Sequence, residues 1–198
     1  MVKVLTVVGA RPQFIKEAVV AKAFQEMGIQ EVLIHTGQHY DANMSDLFFS
    51  DLKIKQPDYN LGIGSGSHGY QTGMGIMRIE EIAVKEKPDV LLVHGDTNAT
   101  VAGALAGAKL KIPVAHVEAG LRQFPKDMPE EINRVVTDRV SRFLFCPTLL
   151  AIENLKAEGI TTSVFFTGDV MYDLFLSVRQ SVDVGKICSR YAVTEKSF

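Results

Sequence analysis

With 198 residues, 46% hydrophobic and 22% charged, the chain has ordinary globular composition and length enough for one well-cored domain, or one domain and part of another. Its formal net charge of −2 offers no electrostatic handle for nucleic acid or an anionic membrane, so neither is expected as a partner. Two cysteines, Cys146 and Cys188, without CxxC or zinc spacing, argue against a disulfide framework, and Cys146 in the apolar run Phe143–Cys146 reads as an inert buried thiol.

The N-terminus enters a strand at once, too short and without the small-residue cleavage site of a secretory signal. No stretch approaches the roughly 20 apolar residues of a membrane span. A soluble, cytoplasmic protein is expected. In chain order, strands are predicted over Lys3–Val8, Glu31–Thr36, Asp89–His94, Pro113–Glu118, Phe143–Cys146 and Val164–Thr167. Helical patterns lie over Phe14–Met27, Gln71–Glu86, Ala99–Lys109, Glu131–Ser141, Leu149–Glu158 and Val170–Val184. This alternation predicts an α/β fold built on a doubly wound parallel sheet. Boundary residues agree: Pro88 and Gly159 follow helices, and Thr148 is positioned as an N-cap. The run Leu61–Gly69, with four glycines, reads first as a connecting loop and second as a substrate-facing loop carrying His68. Past Tyr191 the chain reads as a linker entering a further strand.

Three segments carry candidate chemistry. After the first strand, Gly9-Ala10-Arg11-Pro12-Gln13-Phe14-Ile15-Lys16 matches neither GxGxxG nor Walker A. A glycine turn before a helix still offers backbone N–H groups to an anion, Arg11 a planar fork and Lys16 a point charge. The other reading makes both cations solvated helix-start residues. Asp96 and Glu118 close consecutive strands, and open α/β sheets hold ligands at that edge. The other reading of Asp96 is as the cap of the helix that follows, yet two acids at one edge favour proton chemistry. In Pro129-Glu130-Glu131-Ile132-Asn133-Arg134, proline and first-turn acids suit a helix start, which leaves Asn133 and Arg134 to face the crevice. His94 and His116 stand two residues ahead of the strand-end acids, to orient carboxylates or simply to pack; no metal spacing is found.

Together with Thr36-Gly37-Gln38-His39, Cys146-Pro147-Thr148 and Thr167-Gly168-Asp169, these motifs in this order resemble the non-hydrolysing UDP-N-acetylglucosamine 2-epimerases. The resemblance implies the Rossmann-like half of a GT-B type two-domain architecture, with residues 1–184 as the N-terminal domain and 185–198 as the linker into a UDP-binding domain. It implies a UDP-sugar substrate, no cofactor, a homodimer and a place in polysaccharide biosynthesis. Residue by residue, Arg11 matches a diphosphate-contacting arginine and Lys16 a basic active-site position. Asp96, Glu118 and Glu130 match essential carboxylates, and His94 and Arg134 complete the substrate-binding set. The match falls on Glu130 rather than Glu131 by alignment. The reaction implied is loss of UDP to a 2-acetamidoglucal and its re-addition, with UDP-GlcNAc ranked ahead of UDP-2,3-diacetamido-2,3-dideoxy-glucuronate. Two rival readings are a half-length domain that only dimerises or binds nucleotide sugar, and a GT-B glycosyltransferase. A segment tied to activation by a second UDP-sugar corresponds to Gln38–Met44.

Overall fold

Near-continuous runs of Val, Leu and Ile, buried on both faces, are what a parallel sheet covered by helices requires. The computed structural model describes residues 1–37, 55–123, 127–179 and 182–191. Among them seven strands form one sheet: β1 (Lys3–Val8), β2 (Gln30–His35), β3 (Tyr59–Asn60), β4 (Val90–His94), β5 (Val114–Val117), β6 (Phe143–Cys146) and β7 (Val164–Phe166). The order is β3-β2-β1-β4-β5-β6-β7 and every pairing is parallel. The helices are α1 (Arg11–Met27), α2 (His68–Glu86), α3 (Asn98–Lys109), α4 (Pro129–Val140), α5 (Leu149–Ala157), α6 (Val170–Arg179) and α7 (Val184–Tyr191). The expected doubly wound α/β architecture is therefore present, and the strand order reverses between β1 and β4, the switch point at which such sheets bind ligands.

Alternation along the strands divides the core. Leu5, Val7, Ile34, Leu91 and Val93 pack with Ile79, Ala99, Ala102 and Ala106 from the helices on one face, while Val4, Leu92, Ala115 and Val117 meet Val20, Phe24 and Phe145 on the other. Among the described residues no helix is long and apolar enough to cross a membrane.

The structure differs from the sequence reading at three places. The two-residue strand β3 went unpredicted, being too short to show a period. The glycine-rich run is half core: Leu61 and Ile63 are buried, while Gly62 and Gly64, each following one of them, take positive φ and turn the chain. Ser67 then caps α2 by accepting from the Tyr70 N–H at 3.3 Å, so the helix includes His68. The stretch predicted as one helix over Val170–Val184 is instead α6 followed by α7, and α7 occupies residues expected to be linker. An aspartate starts each helix: Asp169 Oδ1 accepts from Met171 N at 2.8 Å and Asp183 Oδ1 from Lys186 N at 3.1 Å.

Helix α3 lies close on the sheet because two of its residues lack side chains. A Cβ on Gly103 would stand 2.8 Å from Val93 Cγ1 and 3.3 Å from Val7 Cγ2, and one on Gly107 would stand 2.7 Å from Val114 Cγ2. Alanine ordinarily stabilises a mid-helix glycine position by roughly 0.5–1 kcal/mol, but overpacking a core costs about 1–3 kcal/mol. Gly103→Ala is thus expected to lower the urea midpoint; a midpoint equal to or above the parent's would contradict this packing.

Candidate active site

The turns that end β1, β4 and β5 converge at the switch point, joined by the first turns of α1, α3 and α4. After β4, Thr97 caps α3: its hydroxyl accepts from Thr100 N at 3.3 Å, and the Thr100 hydroxyl accepts from Thr97 N at 3.1 Å. Asp96 is therefore not the cap, and its Oδ2 lies 2.5 Å from Arg134 NH2. After β5, Glu118 holds φ at +73°, an uncommon conformation for a residue with a side chain. Its carboxylate pairs with the Lys16 ammonium brought by α1. Gly95 makes room for that pair, since a Cβ there would lie 3.2 Å from Glu118 Oε2 and 3.3 Å from Lys16 Nζ, and the residue's own φ is +62°. Each strand-end acid thus meets a cation from a helix start, and the Glu118 side chain keeps 25% of its surface open to solvent.

Of the two consecutive glutamates on α4, Glu131 is the buried one. Its Oε2 accepts from Arg134 NH1 at 2.9 Å and from the Gln123 N–H at 3.0 Å. Glu130, one residue and about 100° earlier around the helix, is exposed. Arg11 is exposed at the start of α1. His94 is not brought to the crevice surface: it is fully buried, with Nε2 2.7 Å from Glu17 Oε2. A polar chain ties the crevice to the glycine-rich loop. Asn133 Nδ2 donates to the Asp96 carbonyl at 2.9 Å, Asn98 Nδ2 donates to Gln71 Oε1 at 2.8 Å, and the Asn98 amide lies 3.1 Å from His68 Nδ1. His68 therefore stands near the same edge. Gln38 to Met44 lie outside the described residues.

The anion cradle expected at the first turn is occupied by the protein itself. Gln13 Oε1 accepts from Gly9 N at 2.7 Å and Ala10 N at 3.0 Å, and its Nε2 donates to the His94 carbonyl at 2.7 Å and to Thr100 Oγ1 at 2.9 Å. Pro12 has no N–H, and the Gln13 N–H returns to the Ala10 carbonyl at 3.0 Å. A phosphate at this turn would consequently meet side-chain cations rather than those amides. Glu17, Gln71, Asn98 and Asp138 escaped the sequence reading, Gln13 was quoted there without a role, and Glu131 was passed over for Glu130. Of these four, Asn98 alone carried a local signal, its place two residues past the strand-end Asp96. Among the described residues no cluster of three or more His, Cys, Asp or Glu side chains is arranged to hold a metal ion.

Comparison with known proteins gives this geometry a context. A family model described as UDP-N-acetylglucosamine 2-epimerase matches residues 22–197. A UDP-N-acetylglucosamine 2-epimerase homolog from Methanococcus maripaludis is 55% identical over 99% of this chain and 55% of its own length. The UDP-2,3-diacetamido-2,3-dideoxy-D-glucuronate 2-epimerase of Pseudomonas aeruginosa is 54% identical over 92% of this chain and 53% of its own. The crystal structure of Methanocaldococcus jannaschii UDP-GlcNAc 2-epimerase in complex with UDP-GlcNAc and UDP superposes with a TM-score of 0.86 at 50% identity, over 88% of this chain and 49% of that one. The chain spans about half the length of the relatives it matches.

Behind the crevice, the buried acids give the fold a pH signature. Burial raises Glu17 to about 7. Burial and the neighbouring Glu17 charge raise Glu31 to about 8, with the Thr6 hydroxyl donating to it at 2.5 Å. Both exceed the unfolded value of about 4.3, so the folded chain binds more protons across that interval and stability is lost as pH rises through about 5 to 8. His94 acts oppositely: burial, then the Lys16 charge, lowers it to about 3, so its contribution is lost as pH falls below about 6.5. Above about pH 6.5 the His94 contribution is complete and no longer offsets that of the carboxyl pair. Urea midpoints are expected to fall between about pH 6.5 and 8.5, and Glu31→Gln to flatten that fall; a parent midpoint that stays level would refute the raised carboxyls.

Proposed function

The chain belongs to the UDP-N-acetylglucosamine 2-epimerase family, and from that premise we propose that it is the N-terminal half of an enzyme inverting C2 of a UDP-2-acetamido sugar. UDP-GlcNAc and UDP-ManNAc stand first as the substrate pair. The observation that carries the reading is the convergence of two acid–cation pairs, Glu118 with Lys16 and Asp96 with Arg134, at the sheet's switch point.

The C2 hydrogen of such a sugar sits beside no ketone, so direct deprotonation is unsupported. Departure of UDP from C1 takes the C–O electron pair and builds positive character that acidifies C2. A carboxylate then accepts the C2 proton, and the C–H electron pair closes the C1=C2 bond of a 2-acetamidoglucal. Re-addition of UDP, with a proton delivered to the opposite face of C2, gives the epimer. Nothing is oxidised or reduced overall, so the chemistry calls for no nicotinamide. Asp96 and Glu118 supply the proton-handling groups, with Glu130 on the exposed first turn of α4 the third. Glu131, held by Arg134 and the Gln123 amide, anchors that arginine. Arg11 and Lys16 supply charge to the departing diphosphate. A diphosphate entering the crevice competes with Glu118 for the Lys16 ammonium, which frees the carboxylate when it is needed as a base.

A second substrate, UDP-2,3-diacetamido-2,3-dideoxy-glucuronate, is favoured by the 54% identity to the Pseudomonas aeruginosa enzyme. Homodimer formation and cytoplasmic polysaccharide-precursor synthesis belong to the same proposal and rest on the family resemblance. In a protein completed by its second half, proton NMR in D2O should show deuterium entering C2 and the epimer appearing. Glu118→Gln should reduce both at least a hundredfold while the fold is retained. Turnover near the parent rate in that variant would remove Glu118 from the mechanism.

A further inference from the structure

His116, two residues before Glu118, is wholly buried. Its Nδ1 lies 2.7 Å from Asp138 Oδ1, and its Nε2 lies 2.7 Å from the carbonyl oxygen of Gly95. The second oxygen of Asp138 accepts from Gly120 N at 3.1 Å and from Arg122 NH1 at 2.8 Å. Burial works against this carboxylate, yet the hydrogen bonds and charges of His116 and Arg122 outweigh it and hold Asp138 below the ordinary aspartate value. Asp138 is therefore an acceptor, and a carbonyl oxygen is never anything else. Both nitrogens of the ring thus face acceptors. A neutral imidazole has one N–H and one lone pair, so in either tautomer it would turn a lone pair on an oxygen in the buried interior.

We propose that His116 is a buried imidazolium, the cation that fastens the turn carrying Asp96 to the turn carrying Glu118, with Asp138 as its counter-ion. Through Nε2 it fixes the Gly95 carbonyl, one residue before Asp96. Through Asp138 it reaches the Gly120 N–H, two residues after Glu118. Asp138 thereby grips the chain on both sides of the residue held at φ +73°. His116 and Asp138 are positioning residues: buried behind the crevice, they act on substrate through Asp96 and Glu118. That catalytic consequence rests on the epimerase reading, whereas the ionisation does not.

The neighbouring histidine shows the contrast. His94 is equally buried and offers Nε2 to Glu17, but its Nδ1 has no hydrogen-bond partner among the described residues, so nothing requires a second proton there. The other titratable groups around His116 are accounted for. Arg122 is shared between Asp138 and Glu158, with Glu158 oxygens at 2.6 Å from Nε and from NH2. Cys146 on β6 is pushed up to about 11 by burial and the Asp138 charge, and so stays a thiol. Lys16 is paired with Glu118 on the far side of Gly95.

Long-range proton–nitrogen correlation spectra of the histidine-labelled chain, recorded from about pH 6 to 9, test the ionisation directly. The expected result is two protonated ring nitrogens on His116 at about pH 7.5, where exposed histidines have become neutral, and a neutral His94 throughout. His116→Gln and His94→Gln spectra assign the signals. Asp138→Asn still accepts from Nδ1–H but carries no charge, and it should leave His116 with one bare nitrogen at that pH. Should that variant fail to fold, the parent spectrum decides, since a bare nitrogen on His116 at about pH 7.5 overturns the proposal. In the completed enzyme Asp138→Asn is expected to lower kcat roughly ten- to a hundredfold with KM little changed. An unchanged kcat overturns the positioning role. A charged His116 in a parent enzyme without epimerase activity supports the ionisation and defeats the functional reading instead.

Discussion

The bond set of one buried amide, Gln13, holds the switch point together. It joins the turn after β1 to the end of β4 and to the first turn of α3 through four hydrogen bonds. These are the elements between which the strand order reverses, so the crevice exists only while they stay in register. Gln13 is buried, so bulk solvent does not reach the site to replace a missing partner. Leaving any of these donors or acceptors unpaired would cost about 1–3 kcal/mol each, which is why a polar residue at this position is stabilising although it is buried. The same bonds consume the backbone N–H groups that would otherwise cradle a phosphate. Stability of the turn has been obtained by giving up a backbone anion site, and charge recognition passes to Arg11 and Lys16.

Electrostatics in the crevice follows from where cations are fastened. Lys16 and Arg134 arrive on helices that pack against the sheet, and each meets an acid released at a strand end. Such half-buried pairs gain little net stability, because desolvation offsets much of the attraction. Their value lies in exchange: an anionic ligand can take over either cation at small cost, and the acid so released is already at the reacting edge. Behind this layer lies a second one largely withdrawn from solvent. His116 spans two acceptors while His94 spans one, and Glu17 and Glu31 hold their protons to unusually high pH. The groups that set the geometry are thus separated from those that are to move protons.

Much of the fold was legible in the sequence because its causes are local. The apolar runs ending at Val8, His94 and Cys146 and the helical repeats between them come from periods of two and 3.6 that need no distant partner. Placing Asp96 and Glu118 at one edge required only the rule that parallel strands end together. Strand β3, two residues long, carried no period, and the break between α6 and α7 depends on Asp183, which reads equally well as an exposed helix residue.

The sequence by itself determined the architecture, the order of the motifs and the edge at which acids and cations gather. Only the tertiary structure decided their partners: Lys16 with Glu118 across 102 positions, Arg134 with Asp96 across 38, His94 with Glu17 across 77. It also chose Glu131 over Glu130 as the acid bound to Arg134, and Thr97 over Asp96 as the cap of α3. The physical reason is one of range. Secondary structure is written in neighbouring residues, whereas the state of a buried charge is set by whichever donor or acceptor the folded chain brings within about 3 Å.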